Sequence, residues 1–145
     1  TLGERKEKTM PTLEEIRERF EEDKFATEAL GAEIVLAEPG HAVCKMKLQP
    51  QHLNANGVAM GGAVFTLADF AFAVASNGFS KDVTVARQVS ITFLSAGKGK
   101  ELTAEAKCVK GGRRTSLYQV DVTDDEGAYV AHFVGNGFTV GEFVK

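Results

Sequence analysis

Between residues 61 and 80 the chain carries a single charged side chain, Asp69, inside the run AVFTLADFAFAVAS, in which eleven of fourteen residues are apolar. A helix apolar nearly all round must be enclosed by other protein. The run is interrupted by Thr66 and Asp69 and falls short of the roughly 20 residues that cross a bilayer, so the enclosure has to come from the rest of this chain or from a second copy. Material for it follows in the sequence. Residues 32–48 read as a hairpin broken at Pro39-Gly40, with Ala42, Cys44, Met46 and Leu48 alternating with Val43, Lys45 and Lys47. Four more strands are expected at Val83 to Leu94, Glu101 to Lys110, Arg113 to Thr123 and Ala128 to Val140, separated by the turn sequences GKGK, KGG and DDEG. Alternation of Leu102, Ala104, Ala106 and Cys108, and of Tyr118, Val120 and Val122, predicts one covered and one polar sheet face. The expected fold is α+β, an antiparallel sheet curled around one long central helix. Such a sheet leaves open edges, and a second copy is the simplest cover, which predicts at least a dimer.

The remaining segments add little. Thr12 and Glu15 form a capping box ahead of Leu13, Ile16 and Phe20, so a short surface helix should follow a charged tail over residues 1–11. With 145 residues in all, positions 12–145 make one domain. Hydrophobic residues are 43% and charged residues 26%, which excludes a disordered chain, and a net charge of −3 argues against a nucleic-acid binder. Cys44 and Cys108 lack zinc-site spacing and read as buried thiols of a reducing compartment, with no metal implied. The opening TLGERKEKTM lacks an apolar signal core, so a cytoplasmic protein free of membrane is expected.

Chemistry gathers around the apolar helix. A lone carboxylate inside it costs several kcal/mol unless something answers it. Thr66, Asp69, Ala73 and Ser76 fall on one helix face, opposite Val64, Leu67, Phe72 and Val74. That face borders either a cleft or another helix, or Asp69 merely bonds a neighbouring loop. Met60-Gly61-Gly62 leads into the helix, where unpaired backbone N–H groups and the helix dipole make a candidate oxyanion hole, although a glycine pair is also ordinary loop chemistry. Asn54, seven residues upstream of Gly61, is either an amide donor to a carbonyl or a turn residue. Asp69 and Gly61 are separated by about 12 Å along a helix axis, too far for one carbonyl to meet both. Action on one atom would therefore pair Gly61 of one chain with Asp69 of another, across a two-fold axis between antiparallel helices. Lys110 to Arg114, with Thr115 and Ser116, is either a solvated turn or a clamp for a phosphorylated ligand through Arg113, Arg114 and Thr115. Arg87 lies in phase with Val85 and Val89, which implies a bulge or an open stretch of sheet. His41, His52 and His132 have no ligand or triad spacing and are assigned structural or solvent roles. No G-x-S-x-G occurs, which argues against a serine hydrolase.

The segments HLNANGVAMGGAVFTLADFAFAVASN and VSITFLSAGKGKELTAEAKCVKGGRRTSLYQVDVTDDEG resemble the hotdog-fold thioesterases of the phenylacetic-acid-degradation branch, over nearly all of the chain after residue 12. The resemblance implies a sheet wrapped around a long helix, dimers that commonly pair into tetramers, and acyl-CoA thioester hydrolysis at the subunit interface. By position, Asn54 matches the family's loop asparagine, Gly61 its oxyanion-hole glycine and Asp69 its catalytic carboxylate, with Gly62 beside them. Met60 stands where most members have histidine, and a thioether neither donates a hydrogen bond nor shuttles a proton. The expected activity is hydrolysis of a small, medium or aryl acyl-CoA, with no cofactor beyond the coenzyme A of the substrate. The alternative is a non-catalytic acyl-CoA or fatty-acyl binding protein. A hotdog dehydratase or hydratase ranks last, because it needs a histidine with an acid at its site and none lies near enough in the motif to supply one.

Overall fold

The computed structural model describes residues 10–142. Residues 1–9, most of the expected charged tail, and the last three lie outside the described residues. Helix α1 (Leu13–Phe20) starts at the expected capping box, with the Glu15 N–H donating to Thr12 Oγ1 at 3.2 Å. A single π-helical turn, Phe25–Ala29, follows it. The sequence reading has no element there, because a five-residue turn offers too few positions for a period to show. Strands β1 (Glu33–Glu38) and β2 (His41–Lys47) form the hairpin. Helix α2 runs Gly61–Asn77, and β3 (Asp82–Phe93), β4 (Glu101–Gly111), β5 (Thr115–Asp124) and β6 (Tyr129–Glu142) complete one six-stranded antiparallel sheet of order β1-β2-β4-β5-β6-β3.

The sheet makes a seat for α2 from its smallest side chains. Ala42 pairs with Ala106, Cys44 with Ala104, and Ala104 in turn with Val122, all of them fully buried. Helix α2 packs on β2 and β4, and its Leu67 and Val74 are both 0% exposed. Burial of each such side chain stabilises the fold by about 1.5–3 kcal/mol. On the β5–β6 side the large ring of Phe72 meets Tyr118 edge-on at 5.1 Å and packs against Phe133. It can come that close because β6 has glycine beneath it: a Cβ on Gly137 would stand 3.4 Å from the Phe72 ring, 2.6 Å from Ser116 Oγ and 2.7 Å from Thr84 Cγ2. The expected alternation of covered and polar positions on β4 and β5 holds, with one exception. Cys108 is only half-buried, because it lies near the end of β4 where the sheet runs out past the helix; Cys44 is sealed, and burial pushes its thiol up to about 12.

The two sheet edges differ. β1 is short, its register shifts between Ile34 and Leu36, and Arg17 of α1 donates to the Ile34 carbonyl at 2.9 Å. A bulged, covered edge of this kind resists further pairing. β3 is twelve residues long and pairs only with β6 among the described residues, with Val85 and Phe93 exposed. Its register shifts between Ala86 and Gln88, which is the bulge that the phase of Arg87 implies, and the Arg87 guanidinium sits 4.7 Å from the centre of the Phe138 ring. No helix among the described residues is long and apolar enough to cross a membrane.

Candidate active site

The loop ahead of α2 is folded by Asn54. Its Oδ1 accepts from the Asn56 N–H at 2.9 Å and the Val58 N–H at 3.3 Å, and its own N–H donates to the Val58 carbonyl. The turn-residue alternative is therefore realised, at the carbonyl end of the side chain. The amide end has no partner among the described residues and remains a donor. Gly57 closes the turn at φ +74°, a left-handed backbone that glycine adopts without strain. Met60 is the N-cap, extended at φ −63° and ψ 139°, with no side-chain cap bond. Its carbonyl accepts from the Ala63 and Val64 N–H groups, while the N–H groups of Gly61 and Gly62 have no acceptor among the described residues.

Gly61 lies on a cavity of about 330 Å³, lined also by Asn54, Phe93, Ser95 and Gly97 among others. The Phe93 ring stands 3.2 Å from where a Cβ on Gly61 would be. Sequence reasoning did not foresee the wall at Ser95 to Gly97 or the residue that holds it. Asp124, in the DDEG turn, accepts from the N–H groups of Lys98 and Gly99, each at 3.4 Å, and of Glu126 and Ala128 at 3.0 and 2.9 Å. These backbone donors hold its carboxyl below the usual carboxylate range. The only signal in the sequence was an aspartate opening a turn, the residue type that bonds backbone two and four positions on.

Asp69 lies two turns further along α2 and does not line that cavity. The half-buried positions of the helix include Thr66, Asp69, Ala73 and Ser76, the stripe drawn from helical spacing. The Thr66 hydroxyl donates to the Gly62 carbonyl and the Ser76 hydroxyl to the Phe72 carbonyl, each at 2.8 Å, so both are spent on the helix itself. The Asp69 carboxylate accepts no hydrogen bond among the described residues. Burial raises its pKa above the ordinary carboxylate value, and the like charge of Asp23 adds to the shift. An under-solvated carboxylate without a cation is a strong base for its class and faces whatever covers the stripe.

The basic turn lies at the other end of the helix. The Cys108 N–H donates to the Gly40 carbonyl and the Gly40 N–H to the Ala75 carbonyl, which ties the β4–β5 end of the sheet to the C-terminal end of α2. Arg113, Arg114 and Thr115 are exposed there, in the turn where the Gly112 N–H bonds the Thr115 carbonyl. Within one chain they do not meet Gly61. The histidines occupy structural positions. His52 donates from Nε2 to the Ala29 carbonyl and accepts at Nδ1 from the Gln49 N–H, both at 3.0 Å. His41 bridges Glu38 and Glu105 at 3.0 and 2.9 Å, and these two carboxylates raise its pKa. His132 pairs with Asp121 at 2.8 Å, and Tyr129 bonds the same carboxylate. Glu38 and Gln49 stand three residues before their histidines, whereas cross-strand register brings Glu105 to His41 and Asp121 to His132. Among the described residues no group of three or more metal-ligating side chains occurs.

A family model, the thioesterase superfamily, matches residues 56–131, the span holding the Gly61 turn and Asp69. The acyl-coenzyme A thioesterase PaaI of Escherichia coli is 36% identical over 84% of this chain and 86% of its own length. The chain belongs to the thioesterase superfamily. Its fold is that superfamily's hotdog. The structure of the E. coli PaaI protein, from the phenylacetic acid degradation operon, superposes with a TM-score of 0.80 at 29% identity, covering 92% of this chain and all of that one. A hypothetical thioesterase of Streptococcus pneumoniae TIGR4, solved with coenzyme A, matches with a TM-score of 0.78 at 32% identity over 88% of this chain and 98% of its own. In this hotdog protein the open N–H groups of Gly61 and Gly62 and the Asp69 carboxylate lie on one helix, with Gly61 and Asp69 about 12 Å apart by helical rise.

Proposed function

We propose that the protein hydrolyses an acyl-CoA thioester at a site shared by two protomers. The observation that carries this reading is the split of the machinery: open N–H donors at Gly61 face the Asn54 cavity, and an unanswered carboxylate, Asp69, faces outward two turns away. Antiparallel pairing of β3 with its copy across a two-fold axis would set two α2 helices side by side in opposite directions. Each Asp69 then approaches the partner's glycine turn, and each basic turn, at the far end of α2, approaches the end where the partner's Gly61 stands. The long uncovered edge of β3 and the half-buried stripe of α2 support this arrangement.

In the proposed reaction the thioester carbonyl accepts from the Gly61 N–H, with Gly62 and the helix dipole behind it, so charge developing on oxygen is stabilised. Asn54 donates from its free amide to the thioester or to water. Asp69 of the other protomer takes a proton from water as hydroxide attacks the carbonyl carbon, or attacks that carbon itself and is released by water as a mixed anhydride is cleaved. In either course the C–S bond breaks and coenzyme A leaves as thiolate, which is then protonated. Arg113, Arg114 and Thr115 hold the phosphates of coenzyme A. Met60, exposed at the N-cap, offers only apolar contact.

Thiol release from a panel of aryl, short and medium acyl-CoA esters tests the proposal. Asp69→Asn keeps the shape and removes the charge, and turnover should fall by about 10²–10⁴-fold. Unchanged turnover would remove Asp69 from the mechanism. Incorporation of heavy oxygen into the protein during a single turnover identifies the nucleophile route. Met60 in place of an imidazole favours one second reading, a binding protein without efficient chemistry; tight acyl-CoA binding with thiol release at background would establish it.

A further inference from the structure

A cavity of about 610 Å³, larger than the one beside Gly61, is a groove between α1, the π-helical turn and the start of β1. Its apolar lining comes from Phe20, Ala32, Ile34 and Phe70, with the Phe20 and Phe70 rings edge to face at 5.9 Å. Its volume is within the range of small-molecule sites. The two cations on its rim are already paired, Arg17 with Glu14 at 2.6 Å and Lys24 with Glu28 at 3.4 Å. Glu21 and Glu33 line it as well, so the groove offers apolar contact and carboxylates, and no free cation, to what enters it. Asp69 does not line the groove, but Phe70, which does, is the next residue on α2, and Thr27 on the groove wall bonds Asp23, whose charge acts on the Asp69 carboxylate.

We infer that this groove receives the acyl tail of the substrate, an uncharged apolar group, which makes the segment from Arg17 to Ile34 the specificity element of the enzyme. The inference rests on the two-protomer hydrolysis reading. A thioester polarised at one protomer's Gly61 presents its acyl carbon to Asp69 of the other, and the tail continues past that carboxylate into the groove of the protomer that supplies it. Thr27, half-buried on the groove wall with its hydroxyl donating to the Asp23 carbonyl at 2.7 Å, stands where a larger side chain would fill the space.

Two measurements test this. A non-hydrolysable S-alkyl thioether of coenzyme A with a terminal diazirine is photolysed on the full wild-type chain, and the labelled peptides are mapped by mass spectrometry with and without excess S-decyl-coenzyme A. Label that the competitor displaces should fall within residues 17–34 or on the peptide containing Phe70. Displaceable label confined to other segments, or no displaceable label, overturns the inference. In the second measurement Thr27→Trp should lower the ratio of kcat/KM for decanoyl-CoA over acetyl-CoA by at least about tenfold. An unchanged ratio in a folded variant is equally fatal. Photolabelling needs no turnover, so a wild-type protein that hydrolyses nothing would defeat the hydrolysis reading alone, while the label still decides the groove.

Discussion

Complementation between two disabled chains decides whether the site is shared. Gly61 occupies the first position of α2, and Met60 before it is extended at ψ 139°, the backbone that the residue preceding a proline prefers. Gly61→Pro therefore removes the proposed oxyanion donor where proline is best tolerated in a helix, and the atoms nearest to the added Cβ belong to Phe93, an exposed side chain that can turn aside. Loss of one such donor lowers kcat by about 10²–10³-fold, and Asp69→Asn should be at least as damaging. Co-expressed in equal amounts, the two chains pair at random. An intact site needs a normal Gly61 from the Asp69→Asn chain and a normal Asp69 from the Gly61→Pro chain, so about one quarter of all sites are whole, whether the pairs remain dimers or assemble further. Thiol release per site should recover to about a quarter of wild type, far above either variant alone. Light scattering on the same sample counts the protomers, two for a pair and four for a pair of pairs. Activity in the mixture no higher than in the separate variants would refute the shared site and leave each chain to act by itself.

Other consequences can be checked independently. Because burial and Asp23 raise the pKa of Asp69, kcat/KM should fall with decreasing pH while still above the ordinary aspartate value, and Asp23→Asn should move that acid limb to lower pH. Gly137→Ala forces a methyl group to within 2.6–2.7 Å of Ser116 and Thr84, which should cost about 1–3 kcal/mol in urea unfolding with the m-value unchanged. Replacing Arg113 and Arg114 together by Ala should raise KM for CoA esters but not for the matching N-acetylcysteamine thioesters, which lack the phosphates. Asp124→Ala strands four backbone N–H groups at the wall of the Gly61 cavity, and should lower stability by about 1–3 kcal/mol.

The helix, the hairpin, the four later strands and the stripe through Asp69 were all legible in the sequence, since each is a periodicity and a period is a local property. The same holds for the capping box at Thr12 and for the phase error at Arg87, which needed only neighbours along one strand. The role of Asn54 was half legible: its type announces a turn, but the division between a spent carbonyl and a free amide depends on where the Asn56 and Val58 N–H groups point. Glu105 and Asp121, as acid partners of His41 and His132, were invisible, because they reach them through strand register.

By its composition and spacing alone this chain requires a buried helix, a one-sided sheet and a carboxylate with nothing nearby to neutralise it. Which edge stays open, and which ends of the helix the loop donors and the arginines occupy, come only from the folded molecule, as does the groove that residues 17–34 and Phe70 build. The reason is physical: periodicity records which side of an element avoids water, whereas the meeting of residues fifty positions apart is fixed by strand order and register, which no local pattern encodes.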